Sequence, residues 1–156
     1  MNTDNCFLII PASGIGKRMN EIMPKQYLKL DNGKSIIDQC LKTLLSIDRI
    51  SACVVALAAE DDQFKLSPYF NHPKILSIVT GGKERHLSVF NALNSLSNIA
   101  NNNDWILVHD AVRPCILSED IENLIDQVFD HPVGGILATR IIDTVKQISS
   151  QKELST

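Results

Sequence analysis

CFLIIPASGIGKRM, residues 6–19, is an apolar run that stops at Pro11 and passes straight into a loop carrying two glycines and two cations. A run with no polar alternation fits a strand covered on both faces, as the central strands of parallel sheets are. In the loop, Gly14 and Gly16 let the backbone approach an oxyanion and turn its N–H groups toward it. A buried strand opening onto such a loop is the signature of an α/β fold that holds its ligand at the carboxyl ends of the strands.

The rest of the chain extends that pattern. Asn32-Gly33 marks a turn, and Ser35 caps a helix whose apolar residues Ile36, Ile37, Cys40, Leu41, Leu44 and Leu45 recur at helical spacing. Residues 52–58, rich in valine, predict a second buried strand. Residues 60–70 read mostly as loop, with Asp61 or Asp62 able to start a short helix before Pro68. Residues 75–79 predict a third strand, Gly81-Gly82 a turn, and residues 85–96 a helix that buries Val89, Phe90, Leu93 and Leu96. After an Asn-rich connection, residues 105–108 form a fourth strand. Ser118 caps a helix with Glu119 and Asp120 in its first turn, where the helix dipole favours acids, and with Ile121, Leu124, Ile125 and Val128 as its buried stripe. Gly134-Gly135 then opens a fifth apolar strand, residues 136–142, ending at Asp143-Thr144. Strands and helices alternate, which predicts a Rossmann-like three-layer α/β sandwich with a mostly parallel sheet and right-handed crossovers. Residues 1–146 make one domain, and residues 147–156 a polar tail without periodicity.

Bulk properties bound the function. The 156 residues, 44% of them hydrophobic, suit one domain, and a net charge of −3 provides no basic field to attract nucleic acid or an anionic membrane. The N-terminal apolar run is too short to span a bilayer and lacks the flanks of a signal peptide, so the chain is expected in the cytosol. Cys6, Cys40, Cys53 and Cys115 are far apart, with no Cys-x-x-Cys pair, and read as small core residues in a reducing compartment. His72, His86, His109 and His131 show no helical i, i+4 pairing, so the expected metal is a magnesium ion carried in with phosphates rather than zinc.

Four strand-end motifs carry chemistry. Ser13-Gly14-x-Gly16-Lys17-Arg18 matches neither the P-loop, which needs Gly-Lys-Ser/Thr, nor the dinucleotide fingerprint, which needs a third glycine. Its cations, joined by Lys25 in Pro24-Lys25-Gln26, favour a triphosphate grip over a tight strand-to-loop turn with solvated charges: Arg18 can fork onto phosphate oxygens, and Lys25 is a point charge that follows developing charge. His109-Asp110-Ala111-Val112-Arg113 places an acid suited to magnesium at a strand end and an arginine suited to an anionic second substrate. A plain Asp110–Arg113 loop pair is the alternative there. Gly81-Gly82-Lys83-Glu84-Arg85, with Ser88 a turn later, offers a surface for a base, or is simply a glycine turn before a helix. Asp143-Thr144 is the weakest of the four. No nucleophile and base pair stands out, so covalent catalysis is not indicated.

PASGIGKRM (11–19), MPKQYL (23–28), GGKERHLSV (81–89), VHDAVRPC (108–115) and GGILATRIIDTVK (134–146), in this order and spacing, resemble the 2-C-methyl-D-erythritol 4-phosphate cytidylyltransferases of the non-mevalonate isoprenoid pathway. The resemblance runs from Cys6 to about Lys146 and implies a nucleotidyltransferase-type fold. It also implies transfer of CMP from CTP to methylerythritol phosphate, with magnesium and release of pyrophosphate. Carried onto matching positions, Arg18 and Lys25 stabilise the transition state. Ala12, Ser13, Gly14, Gly16, Gly82, Lys83 and Ser88 surround the cytidine and its phosphates. Asp110 and Ala111 lie by the ribose, with Asp110 also at the metal, while Arg113 and Thr144 face the acceptor. Ser13 and Lys83 depart from the residue types expected in the family. Family members continue well past Thr156 into an arm that builds a homodimer and supplies basic residues for the acceptor. A chain ending at Thr156 is therefore expected to keep much of the CTP site, to lose half of the acceptor site, and to turn over poorly. A CDP-ribitol-type or other sugar-phosphate nucleotidyltransferase, and a catalytically silent nucleotide-binding fragment, are the alternatives.

Overall fold

A computed structural model of the chain describes residues 5–14 and 23–144, and the backbone of residues 147–148 and 154–155. It divides into two compact units, Met1–Glu122 and Asn123–Thr156.

The first unit is built on a parallel four-stranded sheet in the order β3-β2-β1-β4, where β1 is Cys6–Pro11, β2 Ile50–Leu57, β3 Ile75–Thr80 and β4 Trp105–Val108. The opening apolar run is the central β1, paired in register with β2 and β4, for example Ile9 with Val54 and with Val108. Two covered faces explain its unbroken apolar character, with Leu8, Ile9 and Ile10 wholly buried. Helix α1 (Ile36–Leu45) packs on β2, and its start is fixed by Ser35, whose Oγ accepts the Asp38 N–H at 3.2 Å.

Helix α2 (Arg85–Leu96) packs on β1, β2 and β3 and differs from expectation in the face it buries. Ser88, Ala92 and Leu96 are the buried residues, at i, i+4 and i+8, while Phe90 and Leu93 are 56% and 39% exposed. The reason is close approach: Ala92 and Leu96 cluster with Phe7, Ile9 and Val54, and a small residue in the middle of the stripe lets the helix axis settle on the sheet. A search for large apolar side chains passes over Ser88 and Ala92. Residues 63–66, in a stretch read mostly as loop with Asp61 or Asp62 able to start a short helix, form a short 3-10 turn started by Asp61, whose Oδ1 accepts the Gln63 and Phe64 N–H groups. Cys6, Cys40 and Cys53 are buried as expected, but Cys115 is exposed, because it follows Pro114 in an irregular turn.

Helix α3 (Ser118–Val128) begins at Ser118 itself and carries Glu119 and Asp120 in its first turn. In the second unit the expected fifth strand is absent: residues 134–142 join no ladder among the described residues, and Ile136 and Ile142 are 85% and 93% exposed. An apolar run records which side chains avoid water, whereas a strand also requires backbone partners. Instead, Gly134 takes φ 114° and the His131 imidazole accepts the Val133 and Gly134 N–H groups through Nδ1, which turns the chain. Part of the expected polar tail forms a small antiparallel pair, β5 (Gln147–Ile148) with β6 (Leu154–Ser155). Among the described residues no helix is long and apolar enough to cross a membrane.

Candidate functional site

Each of three strands in the first unit hands its chain to a loop on the same side of the sheet, and single hydrogen bonds anchor the hand-over points. Ala12 N–H donates to the Ala56 carbonyl at 2.8 Å, Gly81 N–H to Leu57 at 2.7 Å and His109 N–H to Ile9 at 3.0 Å. The loops therefore start from fixed positions, as the parallel register requires. Together with Lys25 they line a cleft of about 360 Å³, which brings Ala12, Ser13 and Gly14 against Gly82, Lys83 and Ser88, and both against Asp110 and Ala111. These are most of the residues singled out from the sequence. Gly16 and Arg18 lie outside the described residues. Thr144 belongs to the second unit, where it is exposed.

The glycine turn is a matter of space. A Cβ at Gly81 would sit 2.5 Å from both Cβ and Oγ of Ser13 and 2.9 Å from Ser88 Oγ, and one at Gly82 would collide with the Leu87 side chain. The backbone can approach this closely only where side chains are absent.

Two side-chain links hold the cleft together. Gln26 is buried, and its Nε2 donates to the Ala12 carbonyl at 2.8 Å, so the short 3-10 turn Lys25–Tyr27 is pinned to the end of β1 with Lys25 at the wall. Arg85 crosses from the start of α2 to Asp110, with Nε and Nη2 at 2.8 and 2.7 Å from Oδ1. Arg113 holds the other oxygen, Nε to Oδ2 at 3.0 Å. The loop pair expected as the plain alternative is thus present, enlarged to a triad. Burial of the Asp110 carboxyl would raise its pKa, but the two guanidinium groups outweigh it and hold the group below the usual carboxylate range. A cation in the first turn of a helix opposes the dipole, so Arg85 was a signal in itself: such a residue needs a nearby acid. Gln26 left no comparable trace, being one polar residue in a polar segment.

Beneath the Asp110 turn, the Cys40 thiol donates to the Ala111 carbonyl at 3.4 Å, and burial pushes it up to about 11, so it is a neutral support for the loop. His109, next to Asp110, is held below its ordinary value mainly by burial.

Glycine backbone, paired hydroxyls, a lysine and an acid between two arginines suit a ligand with a polar ring at one end and several negative charges at the other. Comparison with known proteins accords with that chemistry. The family model for 2-C-methyl-D-erythritol 4-phosphate cytidylyltransferase matches residues 6–156. A curated protein of that name from Ruthia magnifica is 56% identical over 148 residues, which are 90% of this chain and 62% of the relative. Its namesake from Vesicomyosocius okutanii is 50% identical, over 95% of this chain and 65% of the relative. The chain thus spans less than two thirds of the length of these relatives. The crystal structure of the Francisella tularensis enzyme of this name superposes with a TM-score of 0.76 at 40% identity, covering 95% of this chain and 63% of that one. A solved 4-diphosphocytidyl-2C-methyl-D-erythritol synthase reaches a TM-score of 0.82 at 30% identity over 98% of this chain and 67% of that one.

Proposed function

Because this chain belongs to the 2-C-methyl-D-erythritol 4-phosphate cytidylyltransferase family, we propose that its cleft binds CTP and presents the α-phosphorus to 2-C-methyl-D-erythritol 4-phosphate, with pyrophosphate as the leaving group. The observation that carries this reading is the convergence of the three strand-end loops and Lys25 on one cleft.

The acceptor brings its own nucleophile, a phosphate oxygen largely ionised at neutral pH, so no side chain has to remove a proton. The barrier is repulsion between anions, and charge grows on the departing pyrophosphate. Lys25 answers it with a mobile ammonium at the cleft wall. Arg18 takes the matching role by the resemblance. Arg113, 76% exposed, exchanges Asp110 for the acceptor phosphate. Among the described residues no three His, Cys, Asp or Glu side chains gather as a metal site of their own. Were magnesium to accompany CTP, Asp110 would be the carboxylate to meet it, one of its oxygens exchanging an arginine for the ion. When bound, the ion offsets triphosphate charge. We also assign the protein to the cytosol, and the family's full-length enzyme to a homodimer.

Calorimetry of the chain with CTP, UTP and ATP in magnesium, followed by a pyrophosphate assay with methylerythritol phosphate added, tests the reading. CTP is expected to bind at least tenfold tighter than ATP, with pyrophosphate appearing only when the acceptor is present. Equal binding of all three nucleotides would reduce the site to a general phosphate grip, and preference for ribitol phosphate would move the chain to the related activity.

A further inference from the structure

Ser13 and Ser88 approach each other across the cleft, Oγ to Oγ at 2.7 Å. Ser13 Oγ also lies 3.3 Å from the Gly82 carbonyl, and the Gly82 N–H donates to Ser88 Oγ at 3.1 Å. These three links close a ring. With Ser88 donating to Ser13, Ser13 to the Gly82 carbonyl and the Gly82 N–H to Ser88, each hydroxyl gives one hydrogen bond and receives one. Links in such a chain polarise one another in one direction. The other acceptors open to Ser88, the Glu84 carbonyl one turn back at 3.3 Å, which is the ordinary helical back-bond, and the Gly82 carbonyl at 3.5 Å, are both longer than the link to Ser13. Ser88 is wholly buried, so water cannot easily replace either partner.

The place of the ring in the fold gives it a purpose. Ser13 follows β1 and Gly82 follows β3, and β2 lies between those strands, so no ladder ties the two loops to each other. The ring bridges them over the end of β2, at the point where Gly81 leaves no room for a Cβ beside Ser13. Lys25 is anchored separately, through Gln26 and the Ala12 carbonyl.

We propose that Ser13 is a positioning residue for the nucleoside end of the ligand: its hydroxyl locks the Ala12-Ser13-Gly14 segment after β1 to the Gly81-Gly82 turn, so that the wall receiving base and ribose is set before binding. The inference rests on the CTP reading and deepens it. A wall set in advance spares the ligand the cost of ordering two loops. Its effect falls on the nucleoside end, because the turn carrying Lys25 is anchored separately through Gln26.

Direct binding to the 156-residue chain separates the possibilities, with CTP, CMP and magnesium tripolyphosphate as probes. Loss of one such hydrogen bond predicts that Ser13→Ala weakens CTP and CMP about five- to tenfold, with tripolyphosphate affinity kept within about twofold. Ser88→Ala should cost a similar factor, and the double variant no more than the worse single one, because both break one ring. Thermal melts check folding, and Ser13→Gly carries the same readouts if Ser13→Ala does not melt cooperatively. Unchanged CMP and CTP affinity, equal weakening of tripolyphosphate, or losses that add in the double variant would each overturn the role of Ser13. If the unaltered chain binds neither CTP nor CMP, the CTP reading itself falls, and this inference with it.

Discussion

Lys25 and Gln26 are neighbours in the chain, yet only the first declared itself. A lysine near a glycine loop after a strand suits a phosphate on chemistry alone. Gln26 acts through a carbonyl 14 residues away, and nothing in its local sequence marks it as the buried member of the pair. Removing its amide leaves the Ala12 carbonyl without that donor in a buried setting, so Gln26→Ala should cost about 1–3 kcal/mol of stability. Gln26→Glu should cost more at neutral pH, since a carboxylate then faces a carbonyl oxygen. Urea unfolding with an unchanged m-value checks both, and a loss below about 0.5 kcal/mol for either would show that the clamp carries no weight. Arg85 sits between these extremes: its charge was visible, but its partner Asp110 lies 25 residues on and was read as a contact to metal and ribose or as the partner of Arg113 alone.

Among the elements, the strands were the most legible and the helix faces the least. A strand buried on both sides writes itself as an apolar run, and β1 falls where that run predicts it, as does β4, a half-buried strand at the end of the sheet. For α2 the bounds were equally plain, but its buried face depended on the small residues that fit against the sheet. The start of the sheet is fixed by a polar device at the opposite end from the cleft. Asp104 Oδ1 accepts the Asn5 N–H at 2.9 Å and Oδ2 the Asn101 N–H at 2.7 Å, tying the entry of β1 to the entry of β4. Those backbone hydrogen bonds, Asn101 first, hold its carboxyl below the ordinary value of 3.8. A carboxyl lowered on folding binds fewer protons in the native state. Its contribution is therefore complete above that ordinary value and is lost as pH falls through the lower native one. Asp104→Asn should flatten the decline of stability in that acidic window and leave the neutral region with a constant offset. Superimposable acid profiles for the two proteins would refute this account.

For the molecule as a whole, the exposed apolar residues are the feature with a solution consequence. Val133, Ile136 and Ile142 are each 85% or more exposed, in a segment without backbone partners among the described residues. Unpaired apolar backbone of that kind favours association. The chain should therefore show concentration-dependent scattering, which Ile136→Lys with Ile142→Lys should reduce; scattering identical in the variant would trace the association elsewhere. The alternation of strand and helix, the glycine loops at the strand ends and the five motifs that place the chain in its family were all determined by the sequence. They are local patterns, set by period, steric freedom and side-chain chemistry within a few residues. The tertiary structure alone decided that Arg85 and Arg113 share Asp110, that Gln26 holds the loop beside Lys25, that α2 turns Ser88 inward, and that residues 134–142 form no strand. Each of those outcomes depends on which groups meet across the fold, as when Ser13 finds Ser88 75 residues away, and a hydrogen bond has no address in the sequence until the sheet brings its two ends together.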